Sequence, residues 1–300
     1  MCPQIAPLQI DPEDGNGPRA LPGQWGPRMS DAQFDCFRDL AKAHAGISLP
    51  GHKRNMVYRR VSKRLAALGL KDFGAYRNLL TGPDADAEFQ HFVNVLTTNK
   101  TEFFRENHHF EHLASAVLPG LRQRLEMQDS PRLRIWSAGC SSGQEPYSIA
   151  MVLCEALAGL SRWDAKILGT DIDTDVIESG RRGVYANAEM QPIPGKLRRK
   201  FVETLPGEPG RGRMSGELRS LVTFNQLNLH GPWPMKGKFD VIFCRNVIIY
   251  FDLADQRRLF DRFADLLCDG GHVYIGHSES LYKVTERFRP IGQSIYQRIA

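Results

Sequence analysis

Apolar residues recur every three or four positions from about residue 30 to residue 97, and then the spacing changes. Phe34, Phe37, Leu40 and Ala41 follow Ser30 and Asp31, a cap-like start for a first helix. Met56, Val57, Val61, Leu65 and Leu68 make the apolar stripe of a second helix over about 52–68. Shorter helical stretches at 72–80 and 85–97 complete a small all-α unit. From about residue 105, nearly continuous apolar runs alternate with helical patterns. Strands are predicted at 133–138, 165–170, 221–226, 239–244, 272–276 and 293–298, with helices at about 144–158, 173–182 and 253–268. Such alternation implies an α/β fold with a mainly parallel, doubly wound sheet. Prolines and glycines break the rhythm over about 186–222 and predict an insertion, while Pro- and Gly-rich residues 1–28 predict a disordered arm. The expected division is the arm, a helical domain over 29–97 and an α/β domain over 98–300.

The segment WSAGCSSGQEPYS (136–148) reads as a strand, a turn of small residues and a helix start. Asp171 closes the next strand, ILGTD, where a carboxylate can capture ribose hydroxyls. Gly139 and Gly143 keep the turn slim, so that a ligand can lie against the backbone. Phosphate-binding turns continue with bare N–H groups and often a Lys; this one continues with Gln144 and Glu145. A carboxylate there would repel a pyrophosphate and suits a cationic or neutral ligand end. S-adenosylmethionine has an adenosine, an ammonium and a sulfonium, and it fits. Arg245, Asn246 and Tyr250 of CRNVIIYFD (244–252) follow the fourth strand, at the edge where open sheets bind ligands. The linker TTNKTEFFRENHHF (97–110) brings Asn99, Thr101 and Arg105 across the same mouth.

Composition narrows the class further. Hydrophobic content of 42% with 24% charged residues is that of an ordinary globular chain. The formal charge of +5 conceals a basic run at 52–64, with six Lys or Arg and no acid, and an Arg-rich stretch at 194–220. Both would attract acidic partners. Six scattered cysteines without a CxxC, no apolar h-region and no run of about 18 apolar residues point to a cytoplasmic protein with reduced thiols and no membrane insertion. His108 and His112 have metal-gripping spacing but lack the HExxH order and a third ligand, so no metal is expected. GHSES (276–280) lacks the closing glycine of a nucleophile elbow.

Taken in order, AGISLPGHKRNMVYRRVSKRLAALGL, TTNKTEFFRENHHF, IWSAGCSSGQEPYSIA, GTDIDTDVIESGRRGVY, FDVIFCRNVIIYFD and GGHVYIGHSESL resemble the CheR-type chemotaxis protein-glutamate O-methyltransferases over about residues 30–299. The resemblance implies an N-terminal helical domain, a Rossmann-like methyltransferase domain and a small inserted β-subdomain. It implies cofactor contacts at Asn99, Thr101, Arg105, Gly139, Glu145, Asp171, Asn228, Leu229, Arg245 and Asn246. Arg60, Arg105 and Tyr250 would surround the accepting carboxylate. The implied partner is the acidic, helical cytoplasmic region of chemoreceptors, with a receptor C-terminal peptide on the inserted subdomain in some members. Arg59, Arg60, Lys63 and Arg64 would dock that acidic surface. Two other readings compete. An RNA methyltransferase would also use basic patches, but no Asn-Pro-Pro-aromatic motif or RNA module is present, so no nucleic-acid partner is expected. A non-catalytic S-adenosylmethionine-binding adaptor fits poorly with Arg60, Arg105 and Tyr250 occurring together.

Overall fold

The computed structural model describes residues 27–83, 85–127, 131–157, 159 and 163–299; the expected N-terminal arm lies outside them apart from its last two positions. Ser30 starts α1 (Asp31–Ala45) through a reciprocal capping box. Its Oγ accepts the Gln33 N–H at 3.2 Å, and Gln33 Oε1 accepts the Ser30 N–H at 2.8 Å. After α1 come α2 (Arg54–Leu68), α3 (Phe73–Leu80), capped by Asp72, and α4 (Ala85–Leu96). Their apolar stripes meet around Phe37, whose ring centroid lies about 6 Å from those of Phe73, Tyr76 and Phe92. Leu68, placed on the α2 stripe by its spacing, is 37% exposed at the helix end.

Within this helical unit sits a buried polar triad. Arg64 grips Glu88 with two forked bonds, Nε to Oε1 at 2.9 Å and Nη2 to Oε2 at 2.6 Å, and the Tyr76 hydroxyl donates to Oε1 at 2.7 Å. Burial acts to raise the Glu88 pKa, but Arg64 and Tyr76 together outweigh it and hold the carboxyl below its ordinary value. Arg64 is therefore a structural cation and not the free docking charge that the basic run suggested.

The second unit is a seven-stranded sheet in the order β6-β2-β1-β7-β8-β10-β9. Its strands are β1 (Arg132–Ala138), β2 (Asp164–Asp171), β6 (Val222–Gln226), β7 (Phe239–Cys244), β8 (Leu267–Ile275), β9 (Phe288–Gly292) and β10 (Ile295–Arg298). β6, β2, β1, β7 and β8 are parallel, and β10 runs antiparallel to both its neighbours. Side chains of β1 alternate between two cores. Leu133 and Ile135 face the cluster with α7 (Gln144–Ala156), α5 (His108–His112) and α6 (Leu118–Leu125). Trp136 and Ala138 face Phe260 and Phe263 of α11 (Leu253–Leu266). Helices thus cover both faces of the sheet. β8 begins five residues before the predicted strand, and β9, which is not among the predicted strands, forms the far edge.

The insertion folds after α8 (Thr174–Arg182). β3 (Val184–Ala186), β4 (Val202–Thr204) and β5 (Arg211–Met214) make a second, antiparallel sheet in the order β3-β5-β4, with α9 (Gly195–Phe201) and α10 (Gly216–Leu221) beside it. Residues 211–214, which read as turn-rich, are its central strand. A Cβ at Gly212 would sit 2.6 Å from Val202 Cγ1 and 2.8 Å from Met190 Cε, so a glycine there packs the sheet.

Glu88→Ala should lower unfolding free energy by about 3 kcal/mol at pH 7, because Arg64 and Tyr76 lose their buried partner. Denaturant titration checks this. With a depressed native pKa, the Glu88 contribution is fully present above about pH 4.3, the unfolded value, and is lost as pH falls through the native one. The difference between wild type and variant should therefore shrink on acidification.

Candidate active site

A cleft of about 330 Å³ opens at the carboxyl ends of the parallel strands, between β1 and β7, where the strand order reverses. Its floor is the turn after β1. The Gly139 and Cys140 N–H groups donate to the Thr170 carbonyl at 2.7 and 2.9 Å, which folds the turn flat against β2. Gly139 has φ of +78°, and a Cβ there would drive into Val247. Gly143, at φ +97°, starts α7; its Cβ would meet Tyr185 Oη at 2.8 Å and Gly180 Cα at 3.0 Å. Glycine is thus demanded at the first by backbone sign and close approach, and at the second by helix packing.

Asp171 closes β2 and is buried. Its Oδ2 accepts the Ser141 N–H at 2.8 Å and its Oδ1 the Asp173 N–H at 3.0 Å. A carboxylate has about four acceptor sites, so capacity remains for a hydroxyl of a vicinal diol. Burial pushes its pKa up, and the backbone donors only partly offset this. Asn99 reaches over from the linker, donating to Asp173 Oδ2 at 2.6 Å while its carbonyl accepts Ser141 Oγ at 3.0 Å. Thr101, Ile172, Leu227 and Leu229 line the neighbouring wall. Ala45 and Ile47 of the helical unit complete it. Asn228 joins the two units: its Nδ2 donates to the His44 carbonyl at 2.6 Å and its Oδ1 accepts the His230 N–H at 2.9 Å.

The other end of the cleft is charged. Arg245 Nη1 lies 3.0 Å from Glu145 Oε2, and Nη2 lies 3.3 Å from Glu106 Oε2 while also donating to the Arg105 carbonyl. Ser137 Oγ donates to the remaining Glu145 oxygen at 2.7 Å. Burial raises the Glu145 pKa against the pull of Arg245 and Ser137. Burial also acts to raise Glu106, but His277, whose Nδ1 lies 2.9 Å away, and Arg245 together hold it below the ordinary value. Two carboxylates around one guanidinium leave a net negative end, and an ammonium would complete it.

Asn246 stands at φ +59° beside this group, and Phe104 (+54°), Glu106 (+55°) and Ser141 (+49°) share that region. Of the six non-glycine residues with positive φ among those described, Ser141 and Asn246 line the cleft and Phe104 and Glu106 flank Arg105, which lines it, so such strain collects around the site. Buried Glu279 holds Asn246 in place: its Oε2 accepts the Asn246 N–H at 3.0 Å and the Gly276 N–H at 2.6 Å. This explains GHSES, which carries an anchoring acid and no nucleophile. Tyr250 lies on the 3-10 turn Ile248–Tyr250, with its Oη 3.5 Å from the Thr98 carbonyl. Arg105 lines the mouth, and its Nη1 donates to the Lys100 carbonyl at 3.0 Å.

Arg60 is placed differently from the sequence expectation and is not among the residues lining the cleft. Its Nη1 donates to the carbonyls of Val95 (3.1 Å), Leu96 (2.6 Å) and Thr97 (2.7 Å), and Nη2 to Thr98 Oγ1 (2.7 Å). It caps α4, where helix carbonyls lack partners, and holds the linker beneath the mouth. Glu106 and Glu279 were missed by sequence reasoning. Glu106 showed only as an acid next to Arg105 and Glu279 only as the acid of GHSES, both ambiguous until the fold supplied their partners.

The cleft therefore offers a diol acceptor, apolar walls and an anionic end, which is a fit to S-adenosylmethionine and a poor one to a pyrophosphate. Residues 32–97 match the model "CheR methyltransferase, all-alpha domain" and residues 99–297 the model "CheR methyltransferase, SAM binding domain". The chain belongs to the CheR methyltransferase family. It is 44% identical over 271 residues to the chemotaxis protein methyltransferase of Escherichia coli (strain K12), covering 89% of this chain and 91% of that protein. It is 45% identical over 236 residues to the probable chemotaxis protein methyltransferase of Rhizobium etli, covering 78% and 87%. This CheR protein is thus an S-adenosylmethionine-dependent methyltransferase.

Gly139→Ala puts a Cβ into Val247 and a side chain at a positive φ, so the cleft floor must shift. Affinity for S-adenosylhomocysteine, measured by calorimetry, should fall at least about tenfold, equivalent to about 1.4 kcal/mol.

Proposed function

We propose that this CheR protein methylates glutamate side chains of chemoreceptors, giving glutamyl methyl esters and S-adenosylhomocysteine. The observation that carries the reading is the company kept at the cleft mouth: Arg105 and Tyr250, a guanidinium and a phenol, beside an anionic, diol-accepting cofactor pocket. Relatives named as chemotaxis protein methyltransferases support the acceptor class.

When bound, S-adenosylmethionine supplies a methyl group activated by a sulfonium, whose transfer to a carboxylate yields a neutral ester. Asp171 would hold its ribose, Ile172, Leu227 and Leu229 its adenine with Asn228 alongside, and Glu145 with Glu106 its ammonium. Asn99, Thr101, Gly139, Arg245 and Asn246 would shape the pocket around it. A glutamate carboxylate has a reference pKa of about 4.3 and is ionised at pH 7, so the protein need not remove a proton from it. The work left to the chain is alignment, which can supply on the order of 7–11 kcal/mol. Arg105 would orient the carboxylate through its forked donors. Tyr250 would add a neutral hydrogen bond that restrains the nucleophile less than a second cation. Arg60 would act at one remove, by fixing the 97–101 segment.

We place the enzyme in the cytoplasm, beside the receptors' acidic helices; no described helix is long and apolar enough to cross a membrane. Arg59 and Lys63, exposed on α2, would attract those helices, whereas Arg64 is committed to Glu88. The edge strands of the inserted sheet would take an extended receptor C-terminal peptide as an added strand.

Labelled methyl groups incorporated into receptor should be released as volatile methanol by mild alkali; a stable label, as on a methylated base, would sink the proposal. Tyr250→Phe should lower kcat by about tenfold or more with S-adenosylhomocysteine affinity little changed, while Asp171→Ala should do the reverse. Joint replacement of Arg59 and Lys63 by Glu should raise KM for receptor several-fold, most strongly at low salt, and leave cofactor affinity intact.

A further inference from the structure

We infer that an apolar patch beside the cleft mouth, formed by Ile249, Leu253 and Tyr282, seats the apolar face of the acceptor helix; this rests on the receptor-glutamate reading above. Ile249 lines the cleft yet is 51% exposed, Leu253 is 48% exposed and Tyr282 78%. Hydrogen bonds tie together the segments that carry the three. Glu279 accepts the N–H of Asn246, three residues before Ile249, at 3.0 Å, and Tyr282 follows Glu279 by three residues. The next carbonyl, that of Lys283, accepts Arg257 Nη2 at 3.2 Å. Arg257 lies one turn beyond Leu253, on the same face of α11. Gln256 Nε2 donates to the Ile248 and Phe251 carbonyls, both at 3.0 Å, which pins the first turn of α11 to the 3-10 turn.

Large apolar side chains exposed singly need no explanation, but a group of them rimmed by charge marks a contact surface. Here the rim is cationic. Lys283 Nζ lies 5.2 Å from the Tyr282 ring and Lys53 Nζ 5.4 Å from the Tyr250 ring, with Arg257 on the adjoining helix face. Asp252, the acid at the start of α11, is already paired with Lys42. The complement to such a surface is an acidic amphipathic helix. Its apolar positions, three or four residues apart, cover Ile249, Leu253 and Tyr282, while its acids meet the rim. A glutamate at the boundary of the two faces then enters the cleft beside Tyr250. The patch reads the apolar side of the helix, and the α2 cations read its charge. Together they select glutamates in amphipathic helices over acids in any exposed segment.

The test uses the full chain and intact receptor in membranes, with Leu253→Ser, Tyr282→Ser and the double variant. KM for receptor should rise about tenfold in the double variant, with kcat, S-adenosylhomocysteine affinity and melting temperature unchanged. Replacing Arg257 and Lys283 by Glu should raise the same KM in a salt-dependent way. An unchanged KM in the double variant, while wild type forms alkali-labile esters, overturns the patch alone. So does a KM change that comes with loss of cofactor affinity or of melting temperature. If wild type forms no such ester, the receptor-glutamate reading fails and this inference falls with it.

Discussion

The active end of this molecule depends on the position of one guanidinium. Arg245 leaves the end of β7 and is held by Glu145 of α7 and Glu106 of the linker, while it also takes the Arg105 carbonyl. Three separate stretches of chain are thereby fixed to one planar group. Such a buried charge is stable only with partners on both sides, and removing either carboxylate would leave an uncompensated cation or a mis-set linker. The arrangement explains why the linker bears left-handed residues at Phe104 and Glu106. The backbone must reverse sharply to bring both the Arg105 carbonyl and the Glu106 side chain to the same guanidinium. Strain that would be lost in a free loop is retained because the ion cluster over-determines the path.

How much of this was legible in the sequence follows from the range of each interaction. That Gly139, Glu145 and Asp171 come together in one cleft was readable because they belong to one βαβ unit, where spacing along the chain fixes spacing in the fold. The parallel sheet was readable for the same reason. Arg60 and Arg64 were misjudged because a charge run shows cations but not the acceptors that occupy them. Those acceptors lie on α4 and the two residues after it, 24 to 38 residues away. Glu106 and Glu279 were overlooked because each acquires meaning through partners on other segments, Arg245 and His277 for one and Asn246 for the other. β9 and β5 escaped notice because their Gly, Pro and Arg content reads as turn. Pairing with a neighbouring strand overrides that local preference.

The division of tasks around the cleft also becomes clear. The sheet edge and first turn supply rigid backbone for the cofactor. The linker and the 3-10 turn supply the groups that would meet the acceptor, each steadied from behind, Arg105 by Lys100 and the Asn246–Tyr250 segment by Glu279. Support at the mouth therefore comes partly from buried Glu279, which is not among the lining residues, and partly from the exposed Lys100 backbone at the lining itself.

The hydrogen bond from Asn228 to the His44 carbonyl, with Ser48 N–H to the Tyr250 carbonyl at 2.7 Å, makes the helical unit part of the cofactor cleft. Thermodynamic reciprocity then follows. Any partner of the basic helix that changes how tightly the nucleoside is retained is itself held more or less tightly, by the same factor, when the nucleoside is bound.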